Sequence, residues 1–164
     1  MERAYATPAV AADAAAVTDL VVALESSLYG QSVFSQADLE DEWLEVDLER
    51  DARVVRDGDR VVGYGVVRER GELLLVQGYV HPDALGRGIG KLIATGLEED
   101  AARGGAGRIQ NAVLEADSAA RRLLESLGYA AVRVDRELRI ELEAPPPAPE
   151  WPDGLRVVPF EPGA

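Results

Sequence analysis

The chain has 164 residues, 47% of them hydrophobic and 29% charged, with a formal net charge of −13. That is enough chain for one globular domain with a proper core and a tail, and its acidity sets it against phosphate backbones, so nucleic acid is not an expected partner. It contains no cysteine, which excludes disulfides, thiolate metal sites and a cysteine nucleophile, and one histidine, His81, is too few for a structural zinc site.

No stretch nears the length of a membrane span, and the N-terminus "MERAYATPAVAADAAAV" lacks the compact apolar run of a signal peptide, so a cytoplasmic protein is expected. A short first strand is expected within residues 2 to 10. "DAAAVTDLVVALESSL" (13 to 28) places Val17, Leu20, Val21, Leu24 and Leu28 on one helical face, with Asp13 placed to cap its start. "SQADLEDEWLEVDL" signals a second helix: Ser35 and Asp38 form a capping-box-like pair, and Leu39, Trp43, Val46 and Leu48 make an apolar stripe. Between Asp38 and Asp51, eight of fourteen residues are acidic. Such a run is either a solvated helix face or a rim that attracts cations.

The period then changes. "ARVVRDGDRVVGYGVVRE" (52 to 69) is two β-branched runs around Asp57-Gly58-Asp59, a hairpin signal, and "GELLLVQGYV" (71 to 80) continues as a third strand. Gly78, near its end, marks a bulge or a close backbone approach. Residues 88 to 103 read as a helix stopped by Gly104-Gly105, residues 107 to 116 as a strand, and 117 to 128 as a helix with Asp117 as N-cap and Gly128 as its stop. Residues 131 to 143 alternate, with Val132, Val134, Leu138, Ile140 and Leu142 on one face. The order β-α-α-β-β-β-α-β-α-β implies a mixed α/β (α+β) layer with helices packed on a twisted sheet. "APPPAPEWPD" (144 to 153) holds five of the nine prolines and reads as a linker. The tail, 154 to 164, returns to strand-like composition and looks like the first strand of another domain.

The segment with most to say is "YVHPDALGRGIGKLIATGLEED", which sets Gly86, Gly88 and Gly90 directly before a helix. A Walker A loop ending at Gly90-Lys91 would need glycine at Leu85 and a hydroxyl at Leu92. A dinucleotide fingerprint would need its third glycine at Lys91 or at Ile93. Neither fits. What remains is either a plain glycine-rich turn or a diphosphate cradle, in which unpaired N–H groups at the positive end of a helix face the ligand and Arg87 and Lys91 add charge.

With the helix, the strand and "DSAARRLLESLGY" that follow, this segment resembles the GNAT superfamily of acyl-CoA-dependent N-acyltransferases over about residues 60 to 142. The family loop is Gln/Arg-x-x-Gly-x-Gly/Ala, which Gly88 and Gly90 match and from which Leu85 departs. The resemblance implies a GNAT fold: a mixed central twisted sheet with helices on both faces and a splayed cleft beside the fourth strand. It also implies acetyl-CoA as cosubstrate, no metal, and a pyrophosphate held by Leu85, Gly86, Arg87, Gly88, Ile89, Gly90 and Lys91. The pantetheine arm would pair with Tyr79 and Val80 beyond a bulge at Gly78, with the Val80 N–H as oxyanion donor. Asp117 stands where the family has an asparagine, and the resemblance implies that it binds the cofactor by accepting a hydrogen bond from a pantetheine amide; Leu124 stands where the family often has an acid tyrosine. Tyr129 is expected in the core. His81 is a candidate base, and Gln77, Tyr79, Asn111 and Glu115 are candidates to face the cleft. The expected acceptor is a primary amine of a small molecule, cationic if the acidic segment lines its pocket. The alternative is a non-catalytic, coenzyme-A-binding or supporting half of a tandem protein of the mycothiol synthase type. The expected layout is thus a GNAT domain over 1–143, a linker over 144–153 and a tail over 154–164, partnered by a second GNAT domain or a second copy.

Overall fold

A computed structural model describes residues 5–70, 73–105, 107–136, 138 and 140–159. The chain falls into two compact units, the first ending at Ala130 and the second running from Ala131.

In the first unit, strand β1 (Tyr5–Pro8) leads through a 3-10 turn into helix α1 (Ala14–Tyr29). Asp13 does not cap α1 as expected. Its carboxylate accepts from the Val10 N–H and pairs with Arg56, so this almost fully buried charge ties the turn to the sheet. Helix α2 (Gln36–Trp43) starts at the expected capping box, in which the Asp38 N–H donates to the Ser35 hydroxyl at 3.3 Å and the Ser35 N–H donates to the Asp38 carboxylate at 2.8 Å. It stops five residues short of the expected end. Leu44 falls on the solvent side at 83% exposure, and Asp47 accepts from the N–H groups of Glu49 and Arg50, capping a separate short helix α3 (Leu48–Asp51). Val46 and Leu48 still pack on the same core.

Strands β2 (Ala52–Asp57) and β3 (Arg60–Arg70) form the expected hairpin, and β4 (Leu73–Val80) lies antiparallel to β3. The turn expected at Arg70 and Gly71 falls partly outside the described residues. Helix α4 (Ile89–Arg103) then crosses over to β5 (Ile109–Ala112), parallel to β4, and α5 (Ser118–Ser126) follows. The sheet order is β1-β2-β3-β4-β5. Residues on opposite sheet faces fill two cores. Val54, Tyr64 and Val66 pack under α1 and α2 with Val17, Leu20, Leu39 and Trp43. Val55, Val62, Val67 and Val76 pack under α4 with Ile89, Ile93 and Leu97.

Three features differ from expectation. The register of β3 on β4 is unbroken through Gly65↔Gly78, so Gly78 is not a bulge; the irregularity lies between β2 and β3, where the partner jumps from Gly63 to Val61. Gly78 and two glycines on β3 instead let α4 sit low. A Cβ on Gly65 would lie 2.4 Å from Ile93 and 2.8 Å from Leu97, one on Gly63 2.7 Å from Ile89, and one on Gly78 3.4 Å from Ile93. Second, β5 is shorter than the expected strand and pairs only from Leu74↔Ile109 to Gln77↔Ala112. Third, residues 131–143 form no strand among the described residues. Val132, Val134, Leu138, Ile140 and Leu142 are exposed, Leu138 at 92%. Alternation says which side chains would share a face, but a strand also needs a neighbour for its N–H and C=O groups, and none of the described residues of the second unit supplies one.

Candidate active site

The turn before α4 is anchored from inside. Ile89 is buried in the α4 core, which holds the first helical turn against the sheet. Gly86 and Gly88 have φ of 74° and 81°, backbone that glycine adopts without the steric cost a side chain meets. A Cβ at either would meet nothing within 4 Å, so the space outside the turn is open. Gly90 has a different reason to be glycine: its Cβ would lie 3.1 Å from Leu123 of α5 and 3.7 Å from Val80 of β4. Among the described residues, no hydrogen bond is made to the N–H groups of residues 86 to 91; the first in the helix is Leu92 to Gly88 at 3.0 Å. Six donors are therefore left without a partner among the described residues at the positive end of a 15-residue helix. Leu85 is exposed, and as an apolar residue it offers this cradle only its backbone. Arg87 reaches back to Asp57 of the hairpin at 2.8 Å, while Lys91 is exposed and makes no ion pair among the described residues.

β4 supplies the second half of the site. The Leu74 N–H donates to Arg108 on the β5 side, and the His81 N–H donates to Val62 on the β3 side. Main-chain groups alternate along a strand, so the N–H and C=O of Gly78 and Val80 face the β5 side, where the ladder ends at the Gln77↔Ala112 pair and leaves the Gly78 C=O and Val80 beyond it. Val80 thus presents to the splay an N–H that has no partner among the described residues. Tyr79 does not present main chain there; its backbone faces β3, and it contributes a side chain instead. Val80 packs in the α4 core, and Tyr79 packs against the core under α1 and α2.

The α1/α2 face of β4 carries a polar chain. Glu42 of α2 pairs with Arg68 of β3 at 3.1 Å, Arg68 donates to the Gln77 amide oxygen, and Gln77 Nε2 donates to the Tyr79 hydroxyl at 3.2 Å. Beside it, Trp43 Nε1 donates to the Tyr64 hydroxyl at 2.8 Å, and the Tyr64 and Tyr79 rings stack 6.1 Å apart. Burial, then the nearby Glu42 charge, pushes the Tyr79 hydroxyl up to about 12; burial raises Tyr64 further. Of the four cleft candidates, this face holds Gln77 and Tyr79. Asn111 pairs in register with Val76 and so lies on the α4 face, where it meets Tyr129, whose hydroxyl is raised by burial and by Glu98. Glu115 is exposed beyond the end of β5.

Other candidates are engaged locally. His81 caps the short Pro82–Ala84 turn through the Asp83 N–H at 3.2 Å, with the Arg60 guanidinium 2.9 Å from Nε2. Asp117 caps α5, accepting from Ala119 and Ala120. Leu124, half-buried on α5, has no proton to give. Within the acidic segment, Asp38, Glu42, Asp47 and Asp51 are held by Ser35, Arg68, the α3 N-terminus and Arg50. A hollow of about 840 Å³ at the other end of the sheet, between Arg50, Leu73, Asp100 and Gly107, shares no residue with the glycine turn. The sequence placed Glu42 in the acidic run and Trp43 in the apolar stripe but gave no role to Arg68, whose only signal, one arginine among β-branched residues, also fits an exposed strand position.

Residues 18–129 match the acetyltransferase (GNAT) family. The mycothiol acetyltransferase of Thermobispora bispora is 37% identical over 112 residues, which are 65% of this chain and 35% of that protein. A GCN5-related N-acetyltransferase from Sphaerobacter thermophilus superposes with a TM-score of 0.80 at 31% identity over 99% of this chain and 55% of its own. The structure of yncA, a putative acetyltransferase from Salmonella typhimurium with its cofactor acetyl-CoA, gives a TM-score of 0.67 at 21% identity, covering 80% of this chain and 82% of that one. The chain therefore spans less than two thirds of the length of the first two relatives.

Proposed function

The chain belongs to the GNAT acetyltransferase family, and from that premise we propose that it binds acetyl-CoA and transfers the acetyl group to a primary amine of a small molecule. The observation that carries this reading is the meeting of the glycine turn with the open edge of β4, so close that a Cβ on Gly90 would lie 3.7 Å from Val80. The diphosphate sits on the N–H groups of residues 86 to 91, with Lys91 at the mouth and Arg87 released to it from Asp57. The pantetheine amides pair with the main chain of Gly78 and Val80, as an added strand pairs with a sheet edge. The amine lone pair attacks the thioester carbon; the Val80 N–H takes the developing oxyanion. The C–N bond forms, the C–S bond breaks, and the sulfur leaves with the electron pair. A thiol of pKa about 8.5 leaves readily as thiolate, and the ammonium proton passes to water, so an acid at Leu124 is not required. His81, built into its turn, and Asp117, occupied as a cap, are left to structural work.

A second reading rests on Leu124 and on the length of the relatives: this is the coenzyme-A-binding or supporting half of a tandem protein, in which 144–153 links to a further GNAT domain or a second copy supplies one. Titration calorimetry with acetyl-CoA, followed by free-thiol release across an amine panel, separates the readings. Binding with thiol release supports the enzyme; binding without it supports the second reading; no binding at hundreds of micromolar removes both. Gly88→Val, which fills the open side of the turn, is expected to weaken acetyl-CoA binding at least tenfold, and unchanged affinity places the phosphate site elsewhere.

A further inference from the structure

The α4 face of the sheet is filled by Ile89, Ile93 and Leu97, so a nucleophile reaching the splay beside Val80 comes from the opposite face, onto which Gln77 and Tyr79 project. There the direction of every hydrogen bond can be read. A guanidinium carries only donors, so the Gln77 atom facing Arg68 is the amide oxygen. Nε2 then faces Tyr79 and donates to its hydroxyl oxygen. The phenol oxygen accepts, and its proton is left over. Among the described residues the Tyr79 hydroxyl donates no hydrogen bond; the two carboxylates whose charge reaches it, Glu42 and Glu25, are engaged with Arg68 and with the Ser32 hydroxyl. A hydroxyl held near 12 is neither a base nor an acid strong enough to be spent at neutral pH. It is a donor of fixed direction.

We propose that the Tyr79 hydroxyl, aimed by Gln77, Arg68 and Glu42, donates a hydrogen bond to the acceptor substrate, and that the site therefore selects amines bearing a hydroxyl or carbonyl oxygen close to the reacting nitrogen over plain alkylamines. This rests on the acyl-transfer reading above. Tyr79 touches the substrate; Gln77 and Arg68 are positioning residues that act through it.

The test uses the full chain, acetyl-CoA and matched amines, ethanolamine against propylamine and glycinamide against butylamine, with free thiol as readout. With kcat/KM referred to the concentration of neutral amine, because an oxygen near the nitrogen also lowers its basicity, wild type is expected to favour the oxygen-bearing member of each pair by about tenfold, the worth of one hydrogen bond, mainly through KM. Tyr79→Phe should bring each pair level. Gln77→Glu should do the same, because a carboxylate beside Arg68 accepts the phenol proton and turns it away from the substrate. That variant keeps the shape and the Arg68 pairing, and the phenol C–O stretching band, assigned by its loss in Tyr79→Phe, should shift as the hydroxyl changes from acceptor to donor. Thiol release without preference in wild type, a preference surviving in Tyr79→Phe, or a band unmoved in Gln77→Glu overturns the proposal. No thiol release with any amine overturns the acyl-transfer reading, and this proposal with it.

Discussion

At the scale of single residues, neighbouring positions do unlike jobs. Gly88 is glycine for its left-handed backbone and the open space outside it, whereas two residues on Gly90 is glycine because α5 and β4 crowd it. Tyr79 is likewise divided: its main chain pairs with β3, its ring packs on the core under α1 and α2, and its hydroxyl accepts from Gln77. Its raised pKa has a consequence for stability. A tyrosine that titrates at 10.0 unfolded and at about 12 folded stabilises the fold fully below pH 10. That contribution is lost as pH rises from 10 towards 12, because the unfolded chain gives up the proton first. Chemical denaturation of wild type and Tyr79→Phe across that window is expected to show wild type losing stability faster, by up to about 1.4 kcal/mol per pH unit. Parallel curves would mean that the hydroxyl titrates as in water.

At the scale of elements, the contact of α4 with the sheet sets the geometry of the cleft. Gly63 and Gly65 on β3 remove two side chains beneath Ile89, Ile93 and Leu97, so the helix sits close and its first turn meets the end of β4. Gly65→Ala puts a methyl 2.4 Å from Ile93 Cγ2 and 2.8 Å from Leu97 Cδ1. Such overpacking is expected to cost about 1–3 kcal/mol, read as a lower denaturation midpoint. Because α4 must lift, acetyl-CoA binding should weaken as well, though no atom of the turn has been changed; full affinity at reduced stability would uncouple the two. Within α2 and α3 the capping box at Ser35 and Asp38 was plain in the sequence, while the break after Trp43 was not. The pattern Leu39, Trp43, Val46, Leu48 reads as one stripe, and only the core shows that a fresh cap at Asp47 brings the last two back to it by another route.

At the scale of the whole molecule, the first unit carries both cores and every proposed site residue, and the second is a run of exposed side chains without helix or strand among its described residues. Exposed backbone outside regular pairing is where proteases cut first. Limited trypsinolysis is therefore expected to cleave first at Arg133, Arg136 or Arg156, leaving a resistant product that contains the first unit; early cleavage within α4 or β3 would contradict this division. What the amino-acid order alone determined is what adjacent residues enforce on one another: the helix faces of 13–28 and 88–103, the Asp57-Gly58 hairpin, the Asp117 cap and the glycine turn, each specified within a few positions by backbone preference and spacing. What only the tertiary structure decided is what distant residues do together. Where β5 stops, why Gly63 and Gly65 lack side chains, and how Glu42, Arg68, Gln77 and Tyr79 line up across three elements all depend on packing between segments far apart in the chain. Alternation in 131–143 named a face but no neighbour, because a strand's hydrogen bonds are completed by another strand that its own residues do not encode.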